Sequence, residues 1–199
     1  MATLTTAQQA TILSDIQAAS DMKNLPLVAN SCYIIAGLYN LPASPTFYVL
    51  STAVSLVAIV QAIKWKKMTP FDAVPTDTAL DVAIWQARSL SCQGCQFNIQ
   101  TILQAFAPQG TLDATQKNTT QGLNDSLSAV PSAAGGAAQD AGWATVQPIL
   151  ARLATRIEKL LANTAGGNGT TNLFPALAPF ADGYQIQPSD IGLILGISL

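Results

Sequence analysis

The chain has 199 residues, a length that suits one domain, or one domain with an appendage. Apolar residues make up 49% of it, whereas only 10% of the residues are charged, well below the usual quarter or so. The polar surface must therefore come from Gln, Asn, Ser and Thr, which favours a subunit that contacts neighbours over a free cytosolic enzyme. The net charge of −2 provides no basic face, so we predict no contact with nucleic acid.

The sequence contains no histidine. Histidine is the commonest general base and metal ligand, and it activates serine and cysteine nucleophiles. No paired carboxylates stand out to replace it. We therefore expect a protein that is not an enzyme, with no catalytic residues, no cofactor and no metal site.

Two of the three cysteines form the motif Cys92-Gln-Gly-Cys95. A redox motif of this kind needs a preceding strand in a βαβ setting, and a zinc site needs two further ligands. The motif instead lies inside a long helical pattern, which favours buried or half-buried helix cysteines. A redox or metal-binding pair is kept as an alternative.

The predicted elements begin with two helices. Thr5 or the threonine after it caps the first, which ends near Met22, and residues 27–40 form the second. Two prolines then form a rigid linker, so we predict an N-terminal helical arm over 1–42 and a main helical domain over 43–199. In the second helix, the positions expected to face inward are Val28, Ile34, Ile35 and Leu38.

Residues 47–63 carry no charge and allow two interpretations. As one unit they approach the length of a membrane span, with lysines following as at a cytoplasmic end. As two units they give a short strand near 46–53 and then a helix over 56–64 capped by Ser55. We favour the second, because several polar side chains interrupt the apolar run. The side chains that this helix would bury are Leu56, Ile59, Val60 and Ile63.

A longer helix is predicted from residue 76 or 77 to Phe106. Its apolar positions drift around the helix, which is typical of burial on more than one side, and Gly94 weakens or bends its middle. These positions are Leu80, Val82, Ile84, Trp85, Leu90, Phe97, Ile102, Leu103 and Phe106.

Three further segments complete the prediction. A less apolar helix spans about 113–130, and the most amphipathic segment of the chain is a helix over 149–162 whose charged residues lie largely off its apolar stripe. Residues 163–172 form a loop, and the apolar stretch 191–199 is expected to dock on the core or on a neighbouring subunit. The predicted fold is therefore mainly α, with a loop-rich C-terminal tail.

A series of short segments follows in order from Pro45 onward, over about three quarters of the chain. They are Pro45–Val49, Ile63–Trp65, Ala83–Trp85, Ala154–Leu160, a Gly/Thr-rich loop, Tyr184 and Ser189–Ile191. In these segments and their rough spacing, the chain resembles a loosely defined group of uncharacterised proteins from tailed-phage genomes, and the first 40 residues fall outside the resemblance. Such proteins are usually encoded among the genes for virion structure, so the resemblance implies a virion component and no reaction.

The leading functional hypothesis is a structural subunit of a tailed-phage virion, placed in the tail, the neck that connects head and tail, or the tail tip. It would act by binding copies of itself and other virion proteins. The alternatives are a capsid decoration protein and a membrane-associated protein anchored by residues 47–63. The predicted interface anchors are Trp65, Trp85, Trp143, Leu195, Ile197 and Leu199.

Overall fold

Helices dominate the computed structural model, which describes residues 4–68, 82–131 and 138–199, with the backbone alone for 82–85. Within these residues the only sheets are two short two-stranded ones, so the prediction of a mainly α fold is confirmed. In chain order the elements are α1 (Thr6–Ala18), α2 (Ala29–Asn40), β1 (Tyr48–Leu50), β2 (Val54–Ser55), α3 (Leu56–Ala62), α4 (Trp65–Met68), α5 (Val82–Phe106), β3 (Thr111–Leu112), α6 (Lys117–Leu127), α7 (Trp143–Ile149), β4 (Ala151–Leu153), α8 (Arg156–Leu161), a 3-10 turn (Thr164–Gly166) and α9 (Pro188–Leu195).

The chain divides into two compact units. The first combines residues 1–50 with 152–199, and the second consists of residues 51–151. This division differs from the predicted arm over 1–42 and main domain over 43–199. The reason is that α1 and α2 do not form a separate arm but pack against α8 and α9.

Helix α1 begins where the sequence predicts, at a capping box built on Thr5. The hydroxyl of Thr5 accepts a hydrogen bond from the Gln8 amide at 3.2 Å, and the Gln8 side chain accepts one from the Thr5 amide at 2.9 Å. Two otherwise unpaired amides at the start of the helix are thereby satisfied.

The core of the first unit is formed by α1, α2, α8 and α9. Because α2 has a period of 3.6 residues, its buried side lies along Cys32, Ile35, Ala36 and Tyr39. The prediction that Val28 and Ile34 face inward is therefore wrong, since they are 48% and 43% exposed. The fully or almost fully buried side chains of this core include Ile12, Met22, Cys32, Ile35, Tyr39, Ile157, Ile186 and Ile191.

The predicted single helix over 149–162 is wrong. Strand β4 interrupts it and pairs with β1, and α8 then starts afresh at a second capping box, formed by Thr155 and Glu158. The strand pairing and the new cap satisfy backbone groups that a continuous helix would have paired internally. On its other side, β1 bonds to Ala176, whose amide donates to the Tyr48 carbonyl at 3.0 Å.

Residues 47–63 split as predicted, across the boundary between the two units. The strand is β1, which belongs to the first unit, and the helix is α3, whose N-cap Ser55 accepts a hydrogen bond from the Ala58 amide at 3.4 Å. Leu56, Ile59 and Ile63 are buried, but Val60 is not. Strand β2 pairs antiparallel with β3, with Val54 opposite Leu112.

Helix α5 runs unbroken through Gly94 and ends at Phe106, where the sequence predicts its end. Its buried side carries Cys92 and Ile99 and packs on α4 and α6. The expected burial on more than one side is wrong for Leu90 and Phe97, each of which is 67% exposed. The predicted start at residue 76 or 77 and the side chains of 82–85 lie outside the described residues.

We expect Ile12→Ala to lower the free energy of unfolding by about 2–5 kcal/mol, because Ile12 is fully buried and its truncation leaves a cavity. The measurement is a urea titration followed by circular dichroism. Leu27→Ala is the matched control, because Leu27 belongs to the same unit but is 71% exposed, and its cost should stay below about 0.5 kcal/mol. Equal losses for the two variants would contradict this description of the core.

Candidate functional site

An apolar groove opens on the first unit, between α1, the segment that joins it to α2, and α9. Its volume of about 420 Å³ lies within the range of ordinary ligand and peptide pockets. Gln17 and Lys23 are its polar lining residues. Leu27 also lines the groove, although most of its side chain is exposed to solvent. The apolar lining consists of Leu13, Ile16, Met22, Leu25, Pro26, Leu27, Ile35, Ile194 and Leu195.

The segment between α1 and α2 is fixed by its own backbone and by one arginine. The Leu25 amide donates to the Met22 carbonyl at 3.0 Å, and the Met22 side chain is buried in the core. Arg156, at the start of α8, donates to both carboxylate oxygens of Asp21. This guanidinium holds the pKa of Asp21 below its ordinary value. The groove wall is therefore held in place before anything binds to it.

Arg156 also joins a polar cluster beneath α1. Its Nη2 lies 3.6 Å from Oδ2 of Asp15, and its guanidinium carbon lies 5.5 Å from the centre of the Tyr39 ring. The buried Tyr39 hydroxyl donates to Asp15 at 2.9 Å. Burial first, and then the Asp15 carboxylate, raise the pKa of Tyr39, so this hydroxyl stays protonated and works as a donor.

A second ionic cluster lies on β4 and α8. Arg152 binds Glu158 through two hydrogen bonds of 2.6 and 2.9 Å and binds Asp182 through Nε at 2.6 Å. Burial disfavours the charge of Arg152, but the bonds to the two carboxylates outweigh burial and raise its pKa. Glu158 is almost fully buried and also accepts a hydrogen bond from the Thr155 amide, so its carboxylate is bound by groups of its own unit.

The second unit has a solvent-exposed helix face, which we call the α5 outer face. It lies opposite Cys92 and Ile99, and all of its members are exposed. Leu90 and Phe97 are its apolar centre, almost two helical turns apart, with Gly94 between them. The residues of this face are Gln86, Leu90, Gln93, Gly94, Phe97, Thr101 and Gln104.

The cysteine motif is built into α5 and does not resemble a reactive site. Cys92 is buried, and its thiol donates to the Met68 carbonyl at 2.9 Å. Burial, and then the neighbouring Cys95, raise the pKa of Cys92, and burial also raises the pKa of Cys95. A nucleophilic or redox-active thiol needs the opposite shift, because the thiolate is the reactive form.

The predicted interface anchors are divided between the two units. Trp65 and Trp143 belong to the second unit and are half-buried, and the Trp65 indole donates to the Val60 carbonyl at 3.0 Å. The side chain of Trp85 lies outside the described residues. In the first unit, Leu195 and Ile197 are half-buried against the core, Leu195 lines the groove, and Leu199 is exposed.

Sequence reasoning missed most of the groove and the exposure of the α5 outer face. Leu13, Met22 and Leu25 read as ordinary apolar positions, and only the chain path brings them beside α9. For α5, the drift of apolar positions around the helix predicts burial on more than one side, whereas Leu90 and Phe97 are exposed. Among the described residues, no group of three His, Cys, Asp or Glu side chains is placed to hold a metal ion.

We expect Arg152→Gln to lower the free energy of unfolding by about 3–5 kcal/mol, because it leaves the buried Glu158 carboxylate without its cation. Lys64→Gln is the control, because it removes an ion pair to Asp140 whose side chains are 45% and 32% exposed, and should cost less than about 1 kcal/mol. Urea denaturation of the three proteins gives both values. A small loss in Arg152→Gln would show that the buried pair contributes little.

We expect Asp21→Asn to destabilise the protein at neutral pH by no more than about 1 kcal/mol, because the Asp21 side chain is 43% exposed and solvent screens its pair. Since the pKa of Asp21 is lowered in the folded state, this stabilisation is present above the ordinary value of 3.8 and is lost as the pH falls through the folded value. The difference in unfolding free energy between wild type and variant should therefore shrink on acidification below 3.8. A difference that grows in acid would have the wrong sign.

Comparison with protein-family models, curated proteins and solved structures finds no match to this chain. Within the described residues, no helix is long and apolar enough to cross a membrane. The function is therefore inferred from the two apolar surfaces and from the chemistry around them.

Proposed function

We propose that this chain is a non-enzymatic structural subunit of a tailed-phage virion that acts through self-assembly and protein–protein contacts. The observation that carries the proposal is the exposure of large apolar side chains on a chain with few charges. Leu27 and Leu193 are each 71% exposed in the first unit, and Leu90 and Phe97 are each 67% exposed in the second. Such surfaces mark protein interaction sites when they are clustered on ordered elements.

The groove supports this function because its shape is set in advance. Its wall is fixed by Met22 in the core and by the Asp21–Arg156 pair, so a partner does not have to order it on binding. Preorganisation of this kind reduces the entropic cost of association. An apolar helix or loop of another virion protein suits such a groove.

The distribution of charge also supports an assembly role over catalysis. Arg152 and Arg156 are engaged with carboxylates of the same unit, and the thiols of Cys92 and Cys95 have raised pKa values. Catalytic groups need a pKa matched to their task and a free position for substrate. These groups instead hold the fold together.

The assignment to a virion comes from the resemblance to proteins encoded among phage structural genes. Within a particle, the tail, the neck and the tail tip are symmetric assemblies in which modest contacts are multiplied. A capsid decoration protein would use the same kind of surface. The alternative of a membrane anchor over 47–63 gains no support, because this segment is divided between β1, β2 and the seven-residue α3.

The first test is the mass of the purified protein by light scattering after gel filtration without detergent. We expect a defined multiple of 20.7 kDa, or an assembly that grows with concentration, because the apolar surfaces of one copy would be covered by another. Negative-stain images of the concentrated protein should then show rings, tubes or filaments.

A monomer at every concentration tested would contradict self-assembly as the mechanism. Protein that stays in solution only with detergent would favour the membrane-associated alternative. Binding of a small-molecule substrate followed by turnover would contradict the non-enzymatic assignment.

A further inference from the structure

The segment 163–177 contains the only Asn-Gly dipeptide of the sequence, Asn168–Gly169. Asparagine followed by glycine is especially prone to deamidation, because a residue without a Cβ leaves its amide nitrogen free to approach the asparagine side chain. In this reaction the Gly169 nitrogen forms a bond to Cγ of Asn168. The side-chain nitrogen leaves as ammonia and takes the proton that Gly169 gives up. Water then opens the cyclic imide to aspartate or isoaspartate.

Packing requires a glycine at position 169. Gly169 is buried and has a φ of +71°, in the left-handed region that favours glycine. A Cβ at this position would collide with the ring of Phe47. The fold therefore demands the residue that makes Asn168 reactive.

The attacking atom is held by the fold. The Gly169 amide donates to the Phe174 carbonyl at 2.8 Å, and the Gly169 carbonyl accepts from the Tyr48 amide at 2.8 Å. Tyr48 belongs to β1, so this glycine is fastened to a strand of the first unit. Before the Gly169 nitrogen can bond to Cγ of Asn168, it has to give up the Phe174 carbonyl.

The side chain under attack is also held. Oδ1 of Asn168 accepts from the Thr170 amide at 3.1 Å and from the Thr170 hydroxyl at 2.7 Å. A turn of this kind fixes the orientation of the side-chain amide, which has to change when the ring closes. Because Asn168 itself is exposed to solvent, its protection comes from hydrogen bonds and not from the exclusion of water.

We infer that Asn168 is a deamidation site gated by the fold, which reacts when Gly169 separates from Phe174 and Tyr48. This inference goes beyond the proposed function and does not depend on it. The isoaspartate product has one extra carbon in the main chain before Gly169, so Gly169 no longer meets Tyr48 and Phe174 in register. A transient opening of the segment is thereby converted into a permanent covalent change.

The first test follows the full chain at mildly alkaline pH by peptide mass spectrometry, in buffer and across a urea series. Asn168 should lose its amide at least about tenfold faster in the unfolded chain, because only molecules with an open segment react in buffer. Asn163 is the internal control, because it forms a similar turn with the Ala165 amide but precedes a threonine, and it should react far more slowly in both conditions.

Two results of this test would overturn the inference. Equal rates at Asn168 in buffer and in urea would show that the fold does not gate the reaction. An intact Asn168 after long incubation in urea would show that it is not a deamidation site.

Two phenylalanine variants test the contacts that hold the segment closed. Phe47→Ala removes the ring beside Gly169 and should speed deamidation in buffer at least about tenfold, because lost packing makes opening easier. Phe174→Ala is the matched control, since Phe174 holds Gly169 through its main-chain carbonyl and its side chain is 61% exposed. Its rate should stay within about twofold of wild type.

Circular dichroism establishes that both variants are folded. Equal rates in the two variants would show that the Phe47 ring does not hold the segment closed. If Phe47→Ala does not fold, the urea series on the wild-type chain decides the inference alone.

The last test concerns the product. Wild-type chain is deamidated in urea, refolded and digested briefly with chymotrypsin, whose sites Leu173 and Phe174 lie in the segment. Chains with isoaspartate at position 168 should be cut there faster than untreated protein. Asn168→Asp should resist like wild type, because aspartate keeps the main-chain length and the acceptor oxygens for Thr170. Equal resistance of the isoaspartate chain and Asn168→Asp would contradict a permanent opening.

Discussion

The buried carboxylate of Glu158 joins the end of β4 to the start of α8. It accepts hydrogen bonds from the Thr155 amide and hydroxyl at the start of α8, and it binds both terminal nitrogens of Arg152 on β4. Through the same arginine, Asp182 is tied to this cluster. The change from strand to helix between β4 and α8 therefore depends on one buried charge, which is stabilised only while all of these donors surround it.

A second arginine, Arg156 at the start of α8, links this helix to the wall of the groove. Arg156 pairs with Asp21, lies over the Tyr39 ring and approaches Asp15, so three parts of the chain are fixed by one guanidinium. The apolar groove lies beside this cluster, because its lining residue Met22 follows Asp21 directly, and it is one of the surfaces on which the proposed assembly depends.

Local signals in the sequence were sufficient for the mainly α fold, for the capping of α1 by Thr5, for the capping of α3 by Ser55 and for the end of α5 at Phe106. Periodicity failed where long-range contacts decided the outcome. The pattern over 149–162 is helical, yet pairing with β1 makes part of it a strand, and Glu158 is buried because Arg152 and Thr155 meet it there. The groove was not predictable either, because it depends on bringing the segment after α1 beside α9. For α5, the apolar pattern indicates which side chains favour burial, but it does not indicate whether they are buried within the same chain.

The discontinuous first unit has a consequence for the order of folding during synthesis. Asp21 and Arg156, which pair in it, are 135 positions apart, and α1 and α2 pack against α8 and α9. The second unit is one continuous stretch, residues 51–151, and so it leaves the ribosome complete before the first unit has all of its parts. The packing of α1 and α2 therefore stays incomplete until residues 152–199 have been synthesised. A chain truncated after residue 151 would retain the second unit and leave the first without α8, α9 and the core side chains Ile157, Phe180, Ile186 and Ile191.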